Sequence, residues 1–242
     1  MDNRIKVRVI GLGSLPHDFS FSGIRSWHSK IFQLSQPIEI FALTSNSDGS
    51  AWEFSDKNIA DQLPDSGTED FLVAIANVPL QYNWYTRRVR ENVVVFTLSE
   101  ISAYLRMNHI PLRNVILRLL YAYSLGYRGS KNRIPTSDET TNFAHDETKG
   151  CIYDMNGMKY DIIYSCDAPI ICDACTQRLV SSGVSETMLS HAKSELKKIR
   201  KEYFFRIADW VSAHPILSIG IASIWALLIG LATEFIAGVL WS

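Results

Sequence analysis

Apolar positions come in short runs separated by polar breaks, and the runs predict the elements. KVRVIGL, over residues 6–12, reads as a buried strand. IEIFALT over 38–44 predicts a second strand, DFLVAIANV over 70–78 a third and NVVVFTLS over 92–99 a fourth. Residues 21–32 carry apolar side chains at roughly helical spacing. After Pro111, the positions Leu112, Val115, Ile116, Leu119, Leu120 and Tyr123 fall on one face of a helix. Strands alternating with helices imply an α/β fold, with one mixed sheet and flanking helices.

Polar punctuation fills the gaps. A stretch rich in Ser, Asp and Asn follows the second strand, and residues 126–144 lack periodicity and read as a loop. Arg87, Arg88 and Arg90 crowd a short connection, which reads as a solvated hairpin; contact with an anionic ligand is the alternative. Ser185 is a good N-cap, with Glu186 in the first turn of a long amphipathic helix over 185–213. Its positions Leu189, Ala192, Leu196, Ile199 and Tyr203 step 3, 4, 3, 4, a heptad seam that either packs on the domain or self-associates.

The C-terminal pattern changes the class of protein. Residues 216–241 hold one ionisable group, Glu234, and a helix needs about 20 apolar residues to cross hydrocarbon. The expectation is a single-pass transmembrane helix serving as a tail anchor. Three regions follow: a soluble α/β domain over 1–180, the juxtamembrane helix over 185–213 and the transmembrane helix over 216–241.

Overall charge names no partner, since 24 basic residues face 25 acidic ones. Its distribution is informative. Lys193, Lys197, Lys198, Arg200, Lys201 and Arg206 form a basic block just before the apolar stretch, placed to meet anionic headgroups. Positive charge beside a span favours the cytoplasmic side, so the expected location is the inner (cytoplasmic) membrane with the soluble domain in the cytoplasm. The N-terminal residues lack a basic region followed by an apolar one, so no leader is expected.

In a reducing compartment, clustered cysteines point to metal more than to disulfides. All four cysteines lie between His145 and Leu179. Cys172 and Cys175 form a Cys-x-x-Cys knuckle, and Cys151 with His145 completes four donors of the kind that hold structural Zn2+. Cys166 either replaces His145 or is a buried thiol.

This window resembles the structural zinc site that closes the catalytic domain of archaemetzincins, zinc-dependent metallopeptidase-like proteins. His145 stands near the family's first cysteine and Cys151 at its second. Met155 stands near its methionine, and Cys172 and Cys175 at its closing knuckle. The resemblance covers residues 6–179, and the cysteine window is its specific part. It implies a zinc-knuckle segment over 145–179. The family's catalytic motif is His-Glu-x-x-His on a helix, which puts two imidazoles on one face with a glutamate as base. None of the six histidines has such a partner, and the helix NVILRLLYAYSLGY is hydrophobic where the motif belongs. The implied protein is a pseudoenzyme that kept the structural zinc and lost the catalytic one.

Other chemistry is sparse. GLGSLP over 11–16 follows a strand, but Leu15 and Pro16 spoil a dinucleotide-binding fingerprint, so it reads as a turn. Ala222, Ala226, Gly230, Glu234 and Gly238 recur every four residues and form a stripe of small residues with one carboxylate, suited to helix association in lipid. Trp241 suits the membrane interface. The expected function is a non-catalytic effector that oligomerises and perturbs membranes, or a partner-binding subunit, in a bacterial antiviral defence system. The defence assignment is by analogy. A membrane-bound metallohydrolase with an atypical site is the alternative. A nucleic-acid adaptor ranks last, because acids outnumber bases around the knuckle and repel phosphates.

Overall fold

The structure is a computed structural model, and it describes residues 4–65, 67–140, 144–145 and 148–240. The chain begins with β1 (Ile5–Leu12), α1 (Ser22–Arg25), β2 (Phe32–Leu34), β3 (Ile40–Phe41), α2 (Asp56–Asp61) and β4 (Phe71–Ala76). It continues with β5 (Thr86–Arg90), β6 (Val93–Thr97), α3 (Ile101–Met107), α4 (Leu112–Gly129) and α5 (Ser137–Thr140). The last helices are α6 (Asp173–Ser181), α7 (Glu186–Leu196), α8 (Tyr203–Ala213) and α9 (Pro215–Leu240). Two compact units result, Met1–Arg200 and Lys201–Ser242.

The first unit is built on a six-stranded mixed sheet of order β2-β1-β4-β6-β5, with β3 also beside β1. Five strands are parallel, and β5 runs antiparallel to β6 at one edge. Alternation along the strands sorts side chains between two cores. Val7, Val9, Phe71, Val73, Val94 and Phe96 enter the larger one, while Ile10, Leu12, Leu72, Ala74, Val93 and Val95 enter the smaller. Covering both faces is what a parallel sheet requires, because its strands have no solvated side.

Helix α4 lies in the larger core and is buried nearly all round. Besides the expected face, Asn114, Leu117, Arg118 and Tyr121 are also buried. A one-sided amphipathic reading misses these positions because α1, α6, α7 and the Lys159–Ser165 turn all contact α4 as well as the sheet. Asn114 ties this packing together: its Nδ2 donates to the Cys166 carbonyl at 2.9 Å and to the Arg200 carbonyl at 3.1 Å.

Several local expectations are corrected. Within 21–32 the helix is only α1, and the span ends in an unexpected strand, β2, which pairs with β1 from Ile5↔Phe32. The strand expected over 38–44 is the two-residue β3. Helices α2 and α3 are additional, and the loop over 126–144 contains the last turn of α4 and all of α5. The arginine-rich connection is strand β5, joined to β6 through Glu91 and Asn92. The helix expected over 185–213 is two helices, α7 and α8. The chain departs from helical geometry where the Ile199 carbonyl accepts from Ala168 N at 2.7 Å and the Arg200 carbonyl from Asn114. Leu189, Ala192, Leu196 and Ile199 are buried in the domain core, whereas Tyr203 is exposed.

In the GLGSLP segment Gly11 and Leu12 end β1, and the chain bends out of the strand at Gly13. Gly13 has a φ of +72°, and the Gly11 and Gly13 amides donate to Glu39 and Phe41 carbonyls. Both glycine amides are thereby used by the sheet instead of facing a phosphate.

In the second unit, α8 carries Tyr203, Phe204, Ile207, Trp210 and Val211 exposed, at spacings that share one helical face. Within α9, Pro215–Glu234 is long and apolar enough to cross a membrane, and none of it is buried.

Candidate metal centre

The four donors arrive from three pieces of backbone. His145 is held in a short parallel bridge opposite Asp154, its N–H donating to the Tyr153 carbonyl at 3.1 Å. Cys151 sits in a second bridge opposite Ile170. Gly150 precedes it with a φ of +92°, a conformation that disfavours any side chain, and a Cβ there would meet the Tyr164 carbonyl at 3.4 Å. Cys172 is the N-cap of α6, its sulfur accepting from the Cys175 amide at 3.5 Å. The Cys-x-x-Cys spacing therefore places one sulfur at the helix N-terminus and the next in its first turn, both aimed at the same point.

Donor atoms of His145, Cys151, Cys172 and Cys175 lie within 4.8 Å of one another. The Cys151 and Cys175 sulfurs are 3.8 Å apart, and Cys172 Sγ is 3.5 Å from His145 Nε2. A zinc–sulfur bond of about 2.3 Å and a zinc–nitrogen bond of about 2.0–2.1 Å give tetrahedral edges of about 3.8 Å between sulfurs and about 3.6 Å between sulfur and nitrogen. Both close pairs match those edges. The donor set of three thiols and one imidazole suits Zn2+ in a closed, four-coordinate site.

Electrostatics favour the thiolates such an ion needs. The α6 N-terminus faces Cys172, and Arg178 Nη2 donates to Cys175 Sγ at 3.1 Å. Three thiolates around a divalent cation leave one net negative charge, which Arg178 offsets. Without metal the close sulfur pair retains a proton. The hydrogen bond with Cys175 holds Cys151 well below the ordinary thiol range, and the same bond with burial pushes Cys175 upward. Cys151 and Cys175 are buried in the larger core, so whatever binds here also clamps the segment over 145–179 against α4.

Cys166 lies apart from this group among the described residues, and His145 takes the fourth position. Burial raises the Cys166 thiol to about 12, which keeps it neutral. The remaining candidates are dispersed. Lys193 is on α7, Lys197, Lys198 and Arg200 follow it, and Lys201 bonds Asp209 of α8 at 2.8 Å. Arg206 lies on α8, and Ala222, Ala226, Gly230, Glu234 and Gly238 lie along α9. Trp241 is outside the described residues. Arg87 pairs bidentately with Asp56, and Arg90 Nη2 donates to the Leu63 carbonyl at 3.1 Å.

A second polar cluster carries no signal in the sequence. Glu195 is 7% exposed and accepts from Ser29 Oγ at 2.7 Å, Lys30 N at 2.9 Å and Tyr121 Oη at 2.5 Å, while Trp27 Nε1 donates to Tyr121 Oη at 2.9 Å. It binds α7 to α4 and to the start of β2.

No known family's model, no curated protein and no solved structure matches this chain, so the four-donor cluster and the apolar α9 are the features that carry a functional reading.

Proposed function

We propose that the chain is a membrane-anchored, non-catalytic protein whose α/β domain is locked by one structural zinc ion. His145, Cys151, Cys172 and Cys175 hold that ion. The observation carrying this reading is the convergence of four protein donors, three of them sulfur, which leaves no coordination position for water or substrate. A catalytic zinc keeps such a position open. The kinship proposed with archaemetzincins is that of a relative without the catalytic motif: α4 presents Leu117, Leu119, Leu120 and Tyr121 where paired histidines would stand.

The second half of the proposal concerns lipid. Helix α9 inserts into the inner membrane, and the basic residues before it keep the domain on the cytoplasmic side, where anionic headgroups attract them. The protein then acts by binding and association, as an oligomerising membrane-perturbing effector or a partner-binding subunit of a defence system. A carboxylate at Glu234 within the apolar helix favours an associating over a solitary span.

Two measurements test these halves. Full chain purified from membranes carries one zinc per chain; Cys151→Ser and Cys175→Ser lose it, and Cys166→Ser keeps it. A second, His- or carboxylate-bound metal revives the metallohydrolase. Overexpression depolarises cells, and Glu234→Leu abolishes the effect; an unchanged potential in wild-type cells reduces α9 to an anchor.

A further inference from the structure

A cavity of about 290 Å³ opens beside the sheet edge, between β5, α4 and the segment over 152–155. Its size is at the small end for organic ligands. Apolar and aromatic groups form most of the wall, including Trp84, Leu119, Tyr123 and Ile152. The charged lining is lopsided: three arginines, Arg87, Arg88 and Arg118, face one acid, Asp154, among the described residues.

Those arginines differ in what they already hold. Arg87 is spent on Asp56 across the sheet edge. Arg88 donates from Nε to the Arg90 carbonyl at 3.3 Å and makes no ion pair among the described residues. Arg118 is 2% exposed. Its hydrogen-bond acceptors are neutral, Ser165 Oγ at 3.1 Å and the Asp154 carbonyl at 3.2 Å; the Tyr85 ring lies at 5.8 Å, and the Cys166 and Cys151 sulfurs act on it electrostatically without a hydrogen bond among the described residues. A guanidinium loses hydration when buried, and burial without an anionic partner is costly. The Asp154 carboxylate accepts from the Asn156 amide at 3.0 Å and not from Arg118.

We propose that this cavity is a binding site for a small organic carboxylate. Its anionic head pairs with Arg118 and Arg88, and its apolar body lies against Trp84, Leu119 and Tyr123. Arginine is the residue suited to this task, because its planar fork meets both carboxylate oxygens and it stays charged when buried. Two lining residues, Thr86 and Tyr123, hydrogen-bond each other at 2.9 Å between hydroxyls, so this part of the wall is held in place before a ligand arrives. None of the four metal donors lines the cavity, although Ala144 and Ile152 adjoin His145 and Cys151 in the chain, and the proposal does not depend on the effector role.

The probe is 4-fluorobenzoate, followed by fluorine NMR line broadening on the full chain in nanodiscs, with 4-fluorobenzyl alcohol as the uncharged control. Zinc content is read on every sample, so loss of the metal centre is distinguished from loss of the anion site. The expectation is saturable binding of the benzoate, at least about tenfold tighter than the alcohol, as expected for charge-assisted hydrogen bonds. Arg118→Gln and Arg88→Gln each weaken it by about tenfold or more while zinc content stays at the wild-type value. Arg88 lies on an edge strand, so its variant remains decisive if Arg118→Gln fails to fold. Equal binding of alcohol and benzoate, no saturable binding of benzoate, or an Arg88→Gln chain that binds as wild type overturns the proposal.

Discussion

Single residues carry unequal weight in this molecule, and the buried polar ones carry most. Glu195 satisfies three donors from two distant parts of the chain, Ser29 and Lys30 in one and Tyr121 in the other. Replacing it with Ala strands the Ser29 and Tyr121 hydroxyls and the Lys30 amide, and should cost about 3 kcal/mol in a urea titration. Glu195→Gln keeps an acceptor and should cost less; equal losses contradict the network. A second residue-level prediction concerns alkali. Burial raises the Cys166 thiol to about 12 from 9.0, and the Tyr123 and Tyr127 phenols to about 12 from 10.0. The unfolded chain ionises these groups at their ordinary values while the folded one resists. Their contribution is therefore complete below about pH 9 and lost as pH rises toward about 12. The urea midpoint should fall between about pH 8 and about pH 11, less so in Cys166→Ala; a flat profile contradicts it. Residues like Glu195 and Arg118 were invisible in the sequence because a charged side chain on a helix reads as solvated, and only the tertiary covering of α4 and α7 buries them. The metal donors were legible, since a Cys-x-x-Cys knuckle with a nearby Cys and His is a chemical pattern that survives without knowledge of packing.

Elements were legible where a pattern is long and obscure where it is short. β1, β4, β6, α4 and α9 each have enough apolar residues to declare a period. β2 and α2 have three and six residues and too little periodicity to stand out, and of the strand expected over 38–44 only the two residues of β3 pair. β5 was legible only in part: three arginines in TRRVR read as a short solvated hairpin connection, and the structure makes them the edge strand of the β5–β6 hairpin, where charge is tolerated on both faces. The break between α7 and α8 depends on carbonyls bonded to Ala168 and Asn114, far away in sequence. The split gives α8 its own prediction. Its exposed Phe204, Ile207 and Trp210 form an apolar face with Arg206 nearby, the composition of a helix that lies in a lipid interface. Phe204→Ala with Trp210→Ala should shift the tryptophan emission of the full chain in nanodiscs and weaken quenching by brominated lipid. Unaltered quenching of the remaining tryptophans near that depth argues that α8 stands in water.

At the scale of the whole molecule, one four-donor cluster and one apolar helix are the features on which the proposed function rests. The segment over 145–179 has few strands or helices of its own to secure it, and the donor cluster supplies the fastening that a small irregular segment lacks. Chelation should therefore loosen this segment first, exposing the Cys172 thiol to alkylation while β1, β4 and β6 retain amide protection from hydrogen exchange. Simultaneous loss of both would make the centre a keystone of the entire first unit. Zinc-edge X-ray absorption on the full chain tests the central claim most directly. The account predicts three sulfur neighbours at about 2.3 Å and one imidazole nitrogen at about 2.0–2.1 Å, with no oxygen in the sphere. A sphere of four sulfurs, an oxygen-bearing open site or the absence of zinc contradicts it.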